Sequence, residues 1–347
     1  MDEKNYLDLQ YRFFLIDDKP YCLWDKNINE KTLDFLDSIE PNYYEYFSDA
    51  IVSSASEDNI HYASLALRTM YSQALETFFA ILCASIQAPR CIPGWIILYR
   101  NNDLRNVVKK IHNGIPLISQ LKVERLTWEL CSEIILSSIV LDDKEKEADI
   151  KLSFGRLWSR FASDFLDNGF ISEYNSIKHG LRVSAGGFEL AFGIQDEPGI
   201  PPKNMQLIGK SKFGTGFHVL ERFENSRHHI RLKQQHRNWH PQDFAFGLKL
   251  VSMSIANVVS TLKIVNGISP ESVKFHWPDD FDIFDEPWKR SSGLGVTSMS
   301  GFNSIIHEEF IEPFSKDVIL EKYKSGDNAG IRRIRFTSPQ QNSKNGS

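Results

Sequence analysis

From residue 59 onward, apolar residues recur at helical spacing. Leu65, Leu67, Met70, Leu75, Phe78, Phe79, Leu82 and Ile86 mark one face of a long helix that follows SEDNI and ends before Pro89. Residues 93–113 hold a second helix, stopped by Asn113-Gly114. Residues 116–141 predict a third, with Leu117, Leu121, Leu126, Leu130, Ile134 and Ile135 on its buried side. DDKEKEAD at 142–149 reads as a charged linker or as a solvated helix start. A further helix covers 150–167, and another covers 170–179 with Gly180 at its C′ position.

After Gly180 the period changes. GGFELAFGI, NMQLIGKS, GTGFHVLERF and HHIRLKQQ alternate as strands do, between Gly, Pro and Asn-Ser turns. A helix returns at His240-Pro241, with proline suited to the first helical position, and runs to Asn266-Gly267. The pattern predicts a mainly α fold: a helical bundle with an inserted antiparallel β-meander, or two hairpins, at about 186–236. The N-terminal residues 1–58 are aromatic and acidic, with short strands around YRFFLID and YCLW and a helix near TLDFLDSI. They read as an arm on a bundle spanning 59–267. An irregular extension covers 268–324, in which SSGLGVTSMSG looks like a loop, and 325–347 reads as a disordered tail.

Composition agrees with a globular chain, at 41% hydrophobic and 12% aromatic residues. Charge is uneven beneath the net −5. Residues 1–60 carry 14 acids against 5 Lys/Arg, whereas 203–240 carry 8 Lys/Arg against two glutamates. A local basic surface therefore fits inside an acidic protein. None of the four cysteines stands in CxxC spacing, and Cys83 and Cys131 fall on apolar helical positions. With no run of about 18 apolar residues and a polar, acidic start, the expectation is a cytoplasmic protein with no membrane partner.

EYNSIKHGLR, residues 173–182, gathers unusual chemistry at a helix end. Asn175 and His179 are four apart and share a face. Lys178 adjoins the histidine, and Arg182 follows the break. A lysine and histidine near a helix C-terminus also serve simply to complement its carbonyls.

The helix with an internal acid in ALETFF, followed by a later helix carrying N-x-x-x-H, resembles the HEPN superfamily. The resemblance covers about residues 59–180 and the 241–265 helix. It implies a small helical bundle, and for many members a metal-independent ribonuclease acting in bacterial defence or toxin–antitoxin systems. The family's motif is an arginine, often a polar residue, then three to five residues and a histidine. In YNSIKH the polar residue is Asn175 and the histidine is His179, while Tyr174 stands where the arginine belongs. Tyrosine offers phosphate no charged fork.

By this resemblance His179 is the acid/base, Asn175 its neighbour, Lys178 and Arg182 the phosphate contacts, and Glu76 the acid that orients His179. Arg68 is a further source of charge, although an ion pair inside the bundle is the plainer role for Arg68 and Glu76. The resemblance also implies RNA as a partner and a homodimer that brings two motifs together. The other class of reading is a catalytically inactive bundle that binds nucleic acid or protein.

RHHIRLKQQHRNWH, residues 227–240, is the densest basic stretch. Arg227, Arg231, Lys233 and Arg237, with Lys210 and Lys212 upstream, are candidate nucleic-acid contacts, with Phe217 or Trp239 available for stacking. A solvated strand face is the alternative. The histidines do not pair at helical spacing, and no metal-ligand pattern forms. There is no P-loop, dinucleotide fingerprint or GxSxG elbow, so the sequence calls for no cofactor.

Overall fold

The computed structural model describes residues 11–25, 27–118, 125–179, 182–195, 197, 200, 202–222, 229–290, 298–307 and 315–324. An antiparallel hairpin opens it, β1 (Tyr11–Ile16) with β2 (Lys19–Trp24). Its turn places Asp17 at φ 58, a conformation that aspartate tolerates better than most residues. The Asp17 carboxylate accepts from Lys110 Nζ at 2.5 Å, and its backbone exchanges bonds of 3.1 and 2.8 Å with the Gln87 amide. These bonds fasten the hairpin to the bundle.

Helices α1 (Ile28–Asp37) and α2 (Tyr43–Ser54) follow. The sequence pattern did not predict α2. Ser48 is its one fully buried residue, so it lacks an apolar stripe. Next come α3 (Ile60–Gln87), α4 (Ile92–Leu98) and α5 (Asn101–His112). The single helix expected over 93–113 is thus two, broken at Tyr99-Arg100, both extended in backbone.

The expected helix over 116–141 is shorter. Only α6 (Trp128–Ile135) forms among the described residues, capped by the Thr127 hydroxyl, and turns follow it. The charged stretch at 142–149 proves to be a helix start. Asp143 caps α7 (Lys144–Leu166), and Asp167 caps α8 (Asn168–Lys178). The expected cap at Gly180 lies outside the described residues, as does the expected tail at 325–347.

Strands β3 (Val183–Ala185), β4 (Glu189–Phe192), β5 (Gln206–Lys210), β6 (Gly214–Arg222) and β7 (His229–Asn238) form the insertion. After β7 comes the core helix α9 (Pro241–Val265), with Pro241 opening it and Asn266-Gly267 closing it. The acidic aromatic stretch beyond it makes a 3-10 helix at Phe281–Trp288. Residues 298–301, expected as loop, instead begin β8 (Ser298–His307). One sheet has the order β3-β6-β7-β8, and β4 pairs with β5 separately. The fold is mainly α with small inserted antiparallel sheets.

The chain divides into two units. The first, residues 1–219 and 233–302, contains the bundle and everything analysed below. The second, residues 220–232 and 303–347, contains the last residues of β6, the first of β7, the last of β8 and helix α10 (Lys316–Lys324).

Apolar burial on α3, α7 and α9 forms the core. Phe78, Phe79 and Leu82 from α3 meet Phe154, Trp158 and Phe161 from α7 and Leu248, Val251, Ile255 and Val258 from α9. Trp158 Nε1 donates to Ser254 Oγ at 3.1 Å, so the indole is buried without an unpaired donor. By length and composition α9 is apolar enough to cross a membrane, but 67% of its most apolar window is buried inside the bundle. Cys83, Cys91 and Cys131 are buried, and burial pushes the Cys131 thiol up to about 12. They act as small core hydrophobes.

Close approach of α6 and α7 depends on Gly155. A Cβ there would lie 2.7 Å from Glu129 Cα, a backbone atom that cannot swing away. We expect Gly155→Ala to destabilise the fold by about 1–3 kcal/mol, the usual cost of overpacking, read as a lowered urea midpoint with unchanged slope.

Candidate functional site: a polar cleft beside helix α8

Helix α8 is held in place by a carboxylate at its centre. Glu173 is fully buried, at 0% exposure, and receives three donors. Arg68 Nε donates at 2.9 Å, Trp239 Nε1 at 2.9 Å, and the Thr215 hydroxyl also donates. These donors come from α3, from the residue just after β7, and from β6. Arg68 is itself buried. It also donates to Ser72 Oγ at 2.5 Å and lies 4.3 Å from the Phe170 ring centre.

The first turn of α8 is fixed similarly. Asp167 accepts the Phe170 N–H at 2.7 Å and pairs with Arg237 at 2.6 Å. Arg237 lies 4.1 Å from the Phe170 ring centre.

With its buried side anchored, α8 turns Tyr174, Asn175 and Lys178 toward a cleft of about 420 Å³. From α3 the cleft receives Arg68, Tyr71, Ser72 and Glu76. Asn101, Asn102 and Arg105 come from α5, and Asp164 comes from α7. Four of the six residues singled out for catalysis therefore meet there: Glu76, Tyr174, Asn175 and Lys178. His179 and Arg182 are not among the lining residues.

His179 is the C-cap of α8. Its backbone N–H bonds to Asn175 O at 3.0 Å, while its imidazole is exposed and makes no hydrogen bond among the described residues. Arg182 is exposed just beyond, its N–H bonded to Ser176 O at 2.9 Å.

Tyr174 is half-buried, with its phenol on the cleft wall. Burial, then the negative charge of Glu76, pushes that phenol above its ordinary pKa. The Lys178 ammonium lies 5.7 Å from the Tyr174 ring centre. The internal ion pair expected for Arg68 exists, but its partner is Glu173 and not Glu76. No ion pair or hydrogen bond engages the Glu76 carboxylate among the described residues.

Among the cleft residues that escaped the sequence pattern are Arg105, Tyr71 and Asp164. Within NNDLRNVVKK, Arg105 reads as an ordinary polar helix position. Nothing local shows that α5 turns it toward α8. The Tyr71 hydroxyl donates to Asp164 Oδ2 at 2.7 Å. Burial is the first cause that lifts Asp164 to about 6, while the Tyr71 bond and the Arg68 charge pull it down.

Among the described residues, part of the basic window is already paired. Arg237 is occupied by Asp167, and Lys210 pairs with Glu189 at 3.2 Å. Lys212 is exposed, its ammonium 5.5 Å from the Phe213 ring centre, and Lys233 is half-buried on β7. Phe217 and Trp239, offered as stacking platforms, are buried in the fold. Arg227 and the side chain of Arg231 lie outside the described residues. Among the described residues, no group of three or more His, Cys, Asp or Glu is placed to hold a metal ion.

Removing one partner of a buried pair strands the other charge. We expect Arg68→Ala and Glu173→Ala each to lower stability by about 3–5 kcal/mol in denaturant titrations. The double variant should lose less than the sum, because neither charge is then left alone.

Asp164 generates a pH prediction. Its native value of about 6 is raised above its ordinary 3.8, so between those values the native state holds a proton that the unfolded chain has released. The stability from that proton is complete below the unfolded value and is lost as pH rises through about 6. Between pH 4.5 and 7, Asp164→Asn should therefore flatten the fall in unfolding free energy.

No family model matches this chain, and neither does any curated protein or any solved structure.

Proposed function

We propose that the chain is a HEPN-like, RNA-directed protein and that the rim of the α8 cleft is a metal-independent endoribonuclease site. The observation that carries this reading is the placement of His179. An imidazole with no structural partner sits one residue beyond Lys178, whose side chain lines a cleft shared with Asn175, Tyr174 and Glu76. A histidine that merely ended the helix would use its ring on the last carbonyls. This ring makes no such bond among the described residues.

The chemistry needs little else. The 2′-oxygen of the RNA attacks the adjacent phosphorus, and the bond to the 5′-oxygen breaks. The products are a 2′,3′-cyclic phosphate and a 5′-hydroxyl. His179 takes the 2′-proton or supplies one to the leaving oxygen, a role suited to an imidazole, whose two nitrogens can each accept or donate a proton. Positive charge from Lys178 stabilises the phosphorane-like transition state. Asn175 shares the His179 face of α8 and positions the substrate. As the resemblance implies, two such bundles pair in a homodimer.

A second reading keeps the fold and removes the chemistry. Tyr174 occupies the motif arginine's place and offers phosphate no charged fork, which favours an inactive RNA-binding or interaction module.

Cleavage of single-stranded RNA pools in EDTA separates the two. Wild type should cleave, and His179→Ala should be slower by about 10²–10⁴-fold, the range for loss of a general acid or base. Cleavage products should carry cyclic phosphate ends. Equal rates for the two proteins, or no cleavage across several pools, would reject the nuclease reading and leave the binding module.

A further inference from the structure

We propose that Arg105 of α5 is the residue that grips RNA phosphate in the α8 cleft, taking the part that Tyr174 cannot play. The inference rests on the RNA-directed reading above and adds a residue outside the motif.

Two guanidiniums reach the cleft wall, and only one is available. Arg68 is fully committed: to Glu173 through Nε, to Ser72 through one terminal nitrogen, and toward the Phe170 carbonyl at 3.5 Å through the other. Arg105 has no ion pair among the described residues. Its one hydrogen bond is long, 3.4 Å from Nη1 to the Phe165 carbonyl. Its guanidinium lies 5.0 Å from the Phe165 ring centre, a contact that fixes the plane without neutralising the charge. Burial disfavours its charged form, and the nearby Glu76 carboxylate favours it.

The surroundings of Arg105 suit a phosphate. Asn101 and Asn102, in the first turn of the same helix, line the same cleft and add two side-chain amides. Lys178 approaches from α8. Glu76 and Asp164 also line the cleft, so it is no broad basic groove, and attraction has to come from a local contact. A planar fork can bind two phosphate oxygens at once, which an ammonium cannot. An unpaired, half-buried guanidinium gains a partner on binding and displaces none.

The test uses a fluorescently labelled, fully 2′-O-methylated single-stranded RNA, which cannot be cleaved through its 2′-oxygen. Binding to the full chain is measured by anisotropy over a salt series. Arg105→Ala should weaken binding by about tenfold and reduce the salt slope by about one phosphate contact. Arg105→Lys should restore the salt slope but only part of the affinity. Arg105→Gln keeps part of the stem and carries the comparison if the alanine variant does not fold.

Wild-type binding with unchanged affinity and salt slope in the Arg105 variants would overturn the role of Arg105 and leave the RNA reading standing. If wild type binds no RNA, the RNA reading fails separately. Thermal shifts with inorganic phosphate then decide: stabilisation of wild type but not Arg105→Ala would retain the anion contact, and equal or absent shifts would overturn it.

Discussion

The Glu173 carboxylate is the interaction on which the rest of the first unit depends. It is a full charge without solvent, and burial at that depth is tolerable only because Arg68, Thr215 and Trp239 all donate to it. The three donors come from α3, β6 and the β7–α9 junction. One side chain therefore ties the bundle, its β insertion and helix α8 to a single register. Hydrophobic burial across α3, α7 and α9 gives the bundle its cohesion but says little about the rotation of α8. A buried charge with a fixed set of donors does specify it.

That rotation creates the cleft. With Glu173 inward, the residues one and two positions later turn outward, and Lys178 follows on the same side. The Asp167–Arg237 pair fixes the first turn, so α8 is pinned at its start and in its middle. Its last turn carries no comparable anchor. Lys178 and His179 both emerge there, exposed and free to meet a ligand.

Much of the helical architecture was legible in the chain, because α3, α7 and α9 carry long apolar stripes and clear stops. Helix α9 could be bounded almost to the residue from Pro241 and Asn266-Gly267. What failed to show had little apolar periodicity. Helix α2 has one buried residue, α6 covers just Trp128–Ile135 of a longer apolar pattern among the described residues, and β8 begins in a glycine- and serine-rich stretch that resembles a loop.

The site divides along the same line. Residues on one helix could be grouped by spacing, so Tyr174, Asn175 and Lys178 were within reach. Arg105 and Asp164 enter from α5 and α7, and no local pattern encodes which helix faces which. The partner of Arg68 was missed for the same reason. Glu76 and Glu173 are both acids within the bundle, and only the docking of α8 brings Glu173 to the arginine.

Counting charges in the sequence does not say which cations are already paired. The window 203–240 is basic in composition, yet Arg237 and Lys210 are paired with acids in the fold. A cation already neutralised by a near neighbour has to lose that partner before it can gain a phosphate, so its net contribution to binding is small. Arg105 lies in an undistinguished stretch and has no ion-pair partner among the described residues. The quantity that bears on anion recognition is therefore unpaired positive charge at a concave surface, which depends on tertiary pairing and not on local composition.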